Sequence, residues 1–344
     1  MREETERFPW VEVFRGLAIL EVLFHHVSGR FLRVLDPEGA AWLALAALNR
    51  TLHFAVPAFL FMTSLVLGAS LVRSFRLRRY LANRGLRLLW PYLLWSGVYL
   101  AWRYLEYPQW FDPARIPHQL LWGKAYFHLY FLAVALQLTL LLPLLRPLLL
   151  RKPPFWAWAL GAVLLTAGVY LANRYLYRLP YPASFVLWYT PAIALGLYLA
   201  ANLDRLEALL RRGLPWAGLG AASGLFLYLP LALAALRKEP VNTALYQAGH
   251  WLYTTGAAFL LLALAFHLSR GRLGRPLGFL GRYSLQIYLI HPLVIRVLEK
   301  IPDFPEALGT KPAFLVYLGL ALLLPLFLAH ALAKMRLSPW LFGR

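Results

Sequence analysis

The sequence contains no cysteine, which removes disulfides, thiolate nucleophiles and cysteine-ligated metal sites from consideration. It is also short of charge. Asp, Glu, Lys and Arg make up 15% of the 344 residues and hydrophobic residues 60%, against roughly 25% charged in an ordinary globular chain. With a mean hydropathy of +0.57 and 13 Trp, 19 Tyr and 21 Phe, a soluble enzyme is excluded, because this much apolar surface needs lipid rather than water as its solvent. Acidic residues are scarcer still, 15 against 35 Lys and Arg, for a net charge of +20. In a soluble chain that excess would point to nucleic acid. In a membrane chain Lys and Arg collect on the cytoplasmic side for topological reasons, so no nucleic-acid partner is expected. The acidic residues Glu3, Glu4 and Glu6, and a following apolar run that is too long and lacks a small-residue cleavage site, argue against a cleaved signal peptide.

What the chain has instead is apolar runs. A spanning helix needs about 20 mostly apolar residues, and ten runs qualify, near 9–29, 52–72, 86–104, 126–145, 154–172, 184–202, 214–235, 249–268, 278–297 and 313–334. The expected fold is all-α, a polytopic bundle of about ten transmembrane helices in one membrane-embedded domain over 1–344. Placing the amino terminus in the cytoplasm puts Arg73 to Arg87, Arg146, Arg151, Arg211, Arg212 and Arg270 to Arg282 on the inner side, so both termini are expected inside a multi-pass cytoplasmic (inner) membrane protein. No repeat of fixed period and no inverted pair of broken helices speaks for the common transporter architectures. Two outer segments stand out. Asp36-Pro37-Glu38 reads as an N-cap with Pro at the first helical position, opening a short interfacial helix. The segment from Glu106 to Trp122 is rich in Pro, Trp and Phe, suited either to stacking a sugar ring or to anchoring at the interface.

An ionisable residue inside a spanning helix costs several kcal/mol unless paired or hydrated, so it is a functional hypothesis by default. The first run carries Glu12, Arg15, Glu21, His25 and His26. Arg15 and His26 are separated by about 20° around a helix and about 16 Å along it, so they share a face. Glu12 and Arg15 form an i, i+3 pair and Glu21 and His25 an i, i+4 pair. A histidine there can take a proton from a hydroxyl and return it to a leaving thiolate; the bland alternative is a network whose members only satisfy one another. His53, His128, His250 and His291 fall at the same outer level. With no i, i+4 His pair and few carboxylates among them, no metal is expected. On the inner side Arg84 and Arg87 enter the third run, where planar guanidinium groups suit the phosphates of a nucleotide-bearing donor.

These residues carry a resemblance. Phe14-Arg15-Gly16-Leu17-Ala18-Ile19-Leu20-Glu21-Val22-Leu23-Phe24-His25-His26 resembles the first-helix motif of the integral-membrane acyltransferase 3 family, in which an Arg is followed by the histidine considered catalytic; the spacing selects Arg15 and His26. Val56 to Phe61, Arg84 to Trp95, His128-Leu129-Tyr130-Phe131-Leu132 and Tyr283-Ser284-Leu285-Gln286-Ile287-Tyr288-Leu289-Ile290-His291-Pro292 are similar to further motifs of that family, in the same order. Glu12 stands where the family usually has Asp, and Thr63-Ser64-Leu65 where it has Ser-Gly-Phe.

The resemblance implies a stand-alone membrane-bound O-acyltransferase without an appended soluble domain. It would move an acyl group, acetyl above all, from acyl-CoA to a hydroxyl of a cell-envelope glycan or lipid-linked sugar. His26, Arg15 and Glu12 would be catalytic, with Arg84, Arg87 and Arg15 on the donor and His128, Tyr130 and His25 on the acceptor. The partners implied are membrane lipids, the acyl donor and the acceptor glycan. The family's branch includes proposed exporters, so translocation of a polysaccharide or lipid-linked sugar is the alternative, and direct transfer and an acyl-histidine relay both remain open.

Overall fold

In lipid every backbone polar group must be satisfied within the chain, which leaves helices as the natural form for apolar runs of this length. The computed structural model describes residues 8–301 and 309–343, and among them there is no strand. The helices are α1 (Pro9–Phe31), α2 (Ala40–Thr51), α3 (Ala55–Arg73), α4 (Leu77–Arg84), α5 (Trp90–Glu106), α6 (Ile116–Trp122), α7 (Tyr130–Leu141) and α8 (Arg146–Arg151). They continue as α9 (Phe155–Tyr175), α10 (Thr190–Ala201), α11 (Leu206–Leu236), α12 (Thr243–Leu268), α13 (Gly274–Arg282), α14 (Ser284–Leu298), α15 (Thr310–Lys334) and α16 (Ser338–Phe342). Each of the ten apolar runs is helical, and the protein is a helical membrane bundle. By length and composition alone, six described segments are apolar enough to cross a bilayer. Pro9–Phe31 is long enough but interrupted by Glu12, Arg15, Glu21 and Arg30.

Several boundaries differ from the sequence expectation, three of them for a local reason. Asp36 does not cap α2. Its Oδ1 accepts the Glu38 amide at 3.1 Å and its carbonyl the Gly39 amide at 3.0 Å, so Asp-Pro-Glu-Gly closes a turn and the helix starts at Ala40. The fourth run begins at Tyr130 rather than 126, because Gly123, at φ +65°, ends α6 in the left-handed region and packs against the Tyr130 backbone, where a Cβ would collide. The ninth run is two helices, α13 and α14, parted at Tyr283.

The chain divides into two compact units. Of the described residues, the first contains 8–59, 210–301 and 309–336, the second 60–209 and 337–343. In the first unit α1 is the central helix, packed by α13, α12, α15, α2 and α14. Its closest neighbour is α13, and two glycines make that approach possible. A Cβ on Gly16 would strike the Leu277 carbonyl, and one on Gly281 the Glu12 carbonyl. Small residues at a crossing let two membrane helices approach to backbone contact, where dispersion does the holding. In the second unit Gly196 of α10 makes the same kind of contact with the Phe61 carbonyl and Ser64 Oγ of α3.

Gly281→Val forces α13 away from α1, and overpacking of this kind costs about 1–3 kcal/mol or more. Its thermal midpoint in detergent should fall well below the wild type. Gly168→Ala on α9, which meets no atom within 4 Å, should leave the midpoint unchanged or raise it. Equal midpoints for Gly281→Val and the wild type would show that the seam does not hold α1.

Candidate functional site

The ionisable stripe of α1 is assembled as the spacing predicts at its first end. Arg15 Nη1 donates to Glu12 Oε1 at 3.0 Å, with Glu12 buried. At the other end the partner comes from far away in sequence. His26 Nδ1 lies 2.7 Å from His291 Nε2, the two rings stacked with centroids 5.0 Å apart.

The direction of that hydrogen bond follows from the next one. His291 Nδ1 lies 2.9 Å from the Ile287 carbonyl oxygen, which can only accept, so Nδ1 carries the proton. In the neutral imidazole the other nitrogen is then an acceptor. His26 Nδ1 must donate to it, and the His26 lone pair is left on Nε2. A chain of two hydrogen bonds thus selects the tautomer of His26 that can accept a proton at Nε2. Pro292, directly after His291, lacks the amide proton that would continue the ladder to the Tyr288 carbonyl, so α14 forgoes one backbone bond where the histidine stands.

His25 points elsewhere, as two adjacent helical residues must. Its Nδ1 donates to the Asn49 carbonyl at 3.0 Å, and Asn49 Nδ2 returns bonds to the His25 carbonyl at 2.8 Å and Ser28 Oγ at 2.9 Å. Asn49, on α2, is 1% exposed. The His25 ring stacks on His53 at 5.0 Å, and His53 is 5.3 Å from His250, whose Nε2 donates to the His53 carbonyl at 3.4 Å. Five of the six histidines expected at the outer level therefore adjoin one another in the first unit. The expected tie between Glu21 and His25 is not made: Glu21 Oε1 accepts the Phe54 amide at 3.3 Å, just before α3 begins, where a carboxylate suits the helix dipole.

The remaining expected site residues belong to the second unit. His128 is 1% exposed, its ring 4.9 Å from Tyr99 and 5.8 Å from Tyr126. Tyr130 opens α7, and Lys124 Nζ lies 5.2 Å from its ring centre and 4.6 Å from that of Tyr181. Burial among these rings lowers the Lys124 ammonium from its ordinary pKa.

Arg84 is the last residue of α4, and Arg87 sits in a single π-helical turn over Gly85–Leu89, so the two do not share one regular α-helical face. Such turns are uncommon and recur at functional sites. Arg84 lies over the Tyr80 ring at 6.0 Å; burial pushes the Tyr80 hydroxyl up to about 12, with the Arg84 charge pulling the other way. The chain's last helix braces this turn. Trp90 Nε1 donates to the Trp340 carbonyl at 2.7 Å, Trp95 Nε1 to the Leu341 carbonyl at 3.0 Å, and Gly343, at φ +68°, contacts the Leu86 and Arg87 backbone.

Among the described residues, no group of three His, Asp or Glu side chains is arranged to hold a metal ion. The sequence alone marked His26 but gave no signal for Asn49, and it marked His291 only as part of a motif, without its partner. Compared with known families, residues 8–330 match the acyltransferase domain of the acyltransferase 3 family. No curated protein and no solved structure matches the chain.

Asn49→Ala leaves the buried Ser28 hydroxyl and His25 carbonyl without the Asn49 donor. Breaking buried bonds in this way costs about 1–3 kcal/mol. The thermal midpoint of the purified variant in detergent should drop accordingly, and an unchanged midpoint would remove Asn49 as the clamp between α1 and α2.

Proposed function

This chain belongs to the acyltransferase 3 family and is a multi-pass membrane transferase, and we propose that it moves an acetyl or other acyl group from acyl-CoA to a hydroxyl of a cell-envelope glycan or lipid-linked sugar. The membrane would be the cytoplasmic one, with both termini inside. The observation that carries the reading is the His26–His291 hydrogen bond and the tautomer it imposes.

In the proposed reaction the acceptor hydroxyl oxygen attacks the thioester carbonyl carbon while His26 Nε2 takes the hydroxyl proton. The tetrahedral adduct collapses, the carbon–sulfur bond breaks, and the His26 proton passes to the departing thiolate to give the free CoA thiol. His291 is a positioning residue. It holds the His26 ring and accepts its Nδ1 proton, so the forming imidazolium keeps a hydrogen-bonded partner. Arg15, held by Glu12, contacts the donor from the amino-terminal end of α1, with Arg84 and Arg87 as further donor contacts. His25, His128 and Tyr130 stand as acceptor contacts.

The cysteine-free sequence makes the test direct, because any thiol that appears in solution comes from CoA. Wild-type protein reconstituted with acetyl-CoA and a glycan acceptor should release CoA thiol and acylate the glycan. His26→Ala should lose about 10²–10⁴-fold in kcat, the usual contribution of general acid–base catalysis. His291→Phe should lose about 10²-fold and change the pH dependence of kcat, since the acceptor for Nδ1 is gone. Full activity in His26→Ala would remove His26 from the mechanism. Absence of CoA release in wild type, with sugar carried across the vesicle membrane, would replace transfer by translocation.

A further inference from the structure

The first unit contains a large cavity, and of its described lining residues the reaction above uses Glu12 alone. It has a volume of about 1340 Å³, larger than the roughly 300–1,000 Å³ of an ordinary small-molecule site. Arg270, Arg272, Arg275 and Arg282 line it, and all four are exposed. Among the described residues its one acidic lining residue is Glu12, which is already paired with Arg15 at 3.0 Å. Arg272, Arg275 and Arg282 make no ion pair with a carboxylate among the described residues. An apolar ring, Phe279, also faces the cavity, with the Arg282 guanidinium 5.6 Å from its centre.

Topology accounts for positive charge between two spanning helices, but it does not ask for four guanidinium groups around one cavity. Guanidinium forks match phosphate oxygens bidentately, and a half-buried aromatic ring beside them suits a purine base. The cavity also opens at a telling place. Glu12 ties it to Arg15, and from Arg15 the same face of α1 leads to His26 about 16 Å farther on. A ligand that anchored phosphates in the cavity and reacted at His26 would need a long linear arm between its anionic end and its reactive end.

We propose that this cavity holds the adenine nucleotide end of the acyl-CoA donor, with Arg270, Arg272, Arg275 and Arg282 on its diphosphate and 3′-phosphate and the Phe279 ring beside the base. The assignment rests on the reading of the protein as an acyl-CoA-dependent transferase and adds a phosphate site to the donor contacts named there. The α1–α13 glycine seam aligns it with the reaction path, because Arg275 and Arg282 stand on the helix that touches α1 at Gly16 and Glu12.

The test uses the full chain in nanodiscs of phosphatidylcholine, with CoA and 3′-dephospho-CoA titrated by calorimetry and turnover followed with acetyl-CoA. Arg275→Gln/Arg282→Gln should bind CoA at least about tenfold more weakly than wild type, and its KM for acetyl-CoA should rise with kcat at saturation little changed. Removing the 3′-phosphate should weaken binding to the wild type more than to the double variant. Arg78→Gln/Arg79→Gln, on the exposed face of α4, should bind CoA as the wild type does, which separates a site from a general charge effect.

Equal CoA affinity in wild type and Arg275→Gln/Arg282→Gln overturns the assignment while leaving the transferase reading intact. A double variant that loses retention on phosphatidylglycerol vesicles but keeps its CoA affinity also overturns it, in favour of an anionic lipid headgroup. No CoA binding by wild type overturns both, and the binding measurement distinguishes that result because it does not depend on turnover.

Discussion

A polar side chain inside a helical membrane bundle has no water to fall back on, so it is held where its partner is. That constraint organises the first unit around α1, a helix with Glu12, Arg15, Glu21, His25 and His26 on its surface. Each of these groups is met by a group that another element, or the helix itself, brings to it. Glu12 answers Arg15, the Phe54 amide answers Glu21, the Asn49 carbonyl answers His25 and His291 answers His26. The same bonds that satisfy the polar atoms therefore fix the azimuth of α1 against α2, α3 and α14. A rotation of α1 about its axis would break all the contacts to other elements together.

The two adjacent histidines show how one helix can face two different sets of partners. Neighbouring residues project about 100° apart, so His25 and His26 face different partners. His25 donates from Nδ1 to a backbone carbonyl and is embraced by Asn49 and Ser28. His26 donates from Nδ1 to another imidazole, which itself donates to a backbone carbonyl. Both are presented in the same tautomer, but only His26 has a titratable ring as its acceptor. An imidazole acceptor can polarise as charge builds on His26, which a fixed peptide carbonyl does to a smaller degree.

Much of this was legible before any coordinates. The ten apolar runs are all helical, because length and hydropathy decide membrane helices almost without tertiary help. The Glu12–Arg15 pair is as close as helical periodicity requires. What sequence could not show is of two kinds. Partners distant along the chain, His291 for His26 and the Phe54 amide for Glu21, are set by which helices adjoin, and periodicity within one helix is silent about that. Local breaks also defeated it: the Asp36 turn, the Gly85–Leu89 π turn and the division at Tyr283 all lie in stretches whose composition reads as ordinary helix or cap. Arg270 to Arg282 were visible as charge and explained by topology, and only the fold shows four of them facing one cavity.

The separation of the basic cavity from His26 has an electrostatic logic of its own. Two unit charges 4 Å apart interact by about 4 kcal/mol at an effective dielectric of 20, but by only about 1 kcal/mol at 16 Å. Guanidinium groups dense enough to hold several phosphates would, beside His26, oppose the imidazolium that proton transfer creates. Placed about three turns of α1 away, with Glu12 between them and Arg15, they would act on the proposed donor and leave the imidazole nearly undisturbed. Binding energy from the remote, unreacting end of a substrate can then be spent on holding its reactive end in place. For that to work α1 must behave as a rigid spacer, and backbone contact with α13 through Gly16 and Gly281 is what keeps it one.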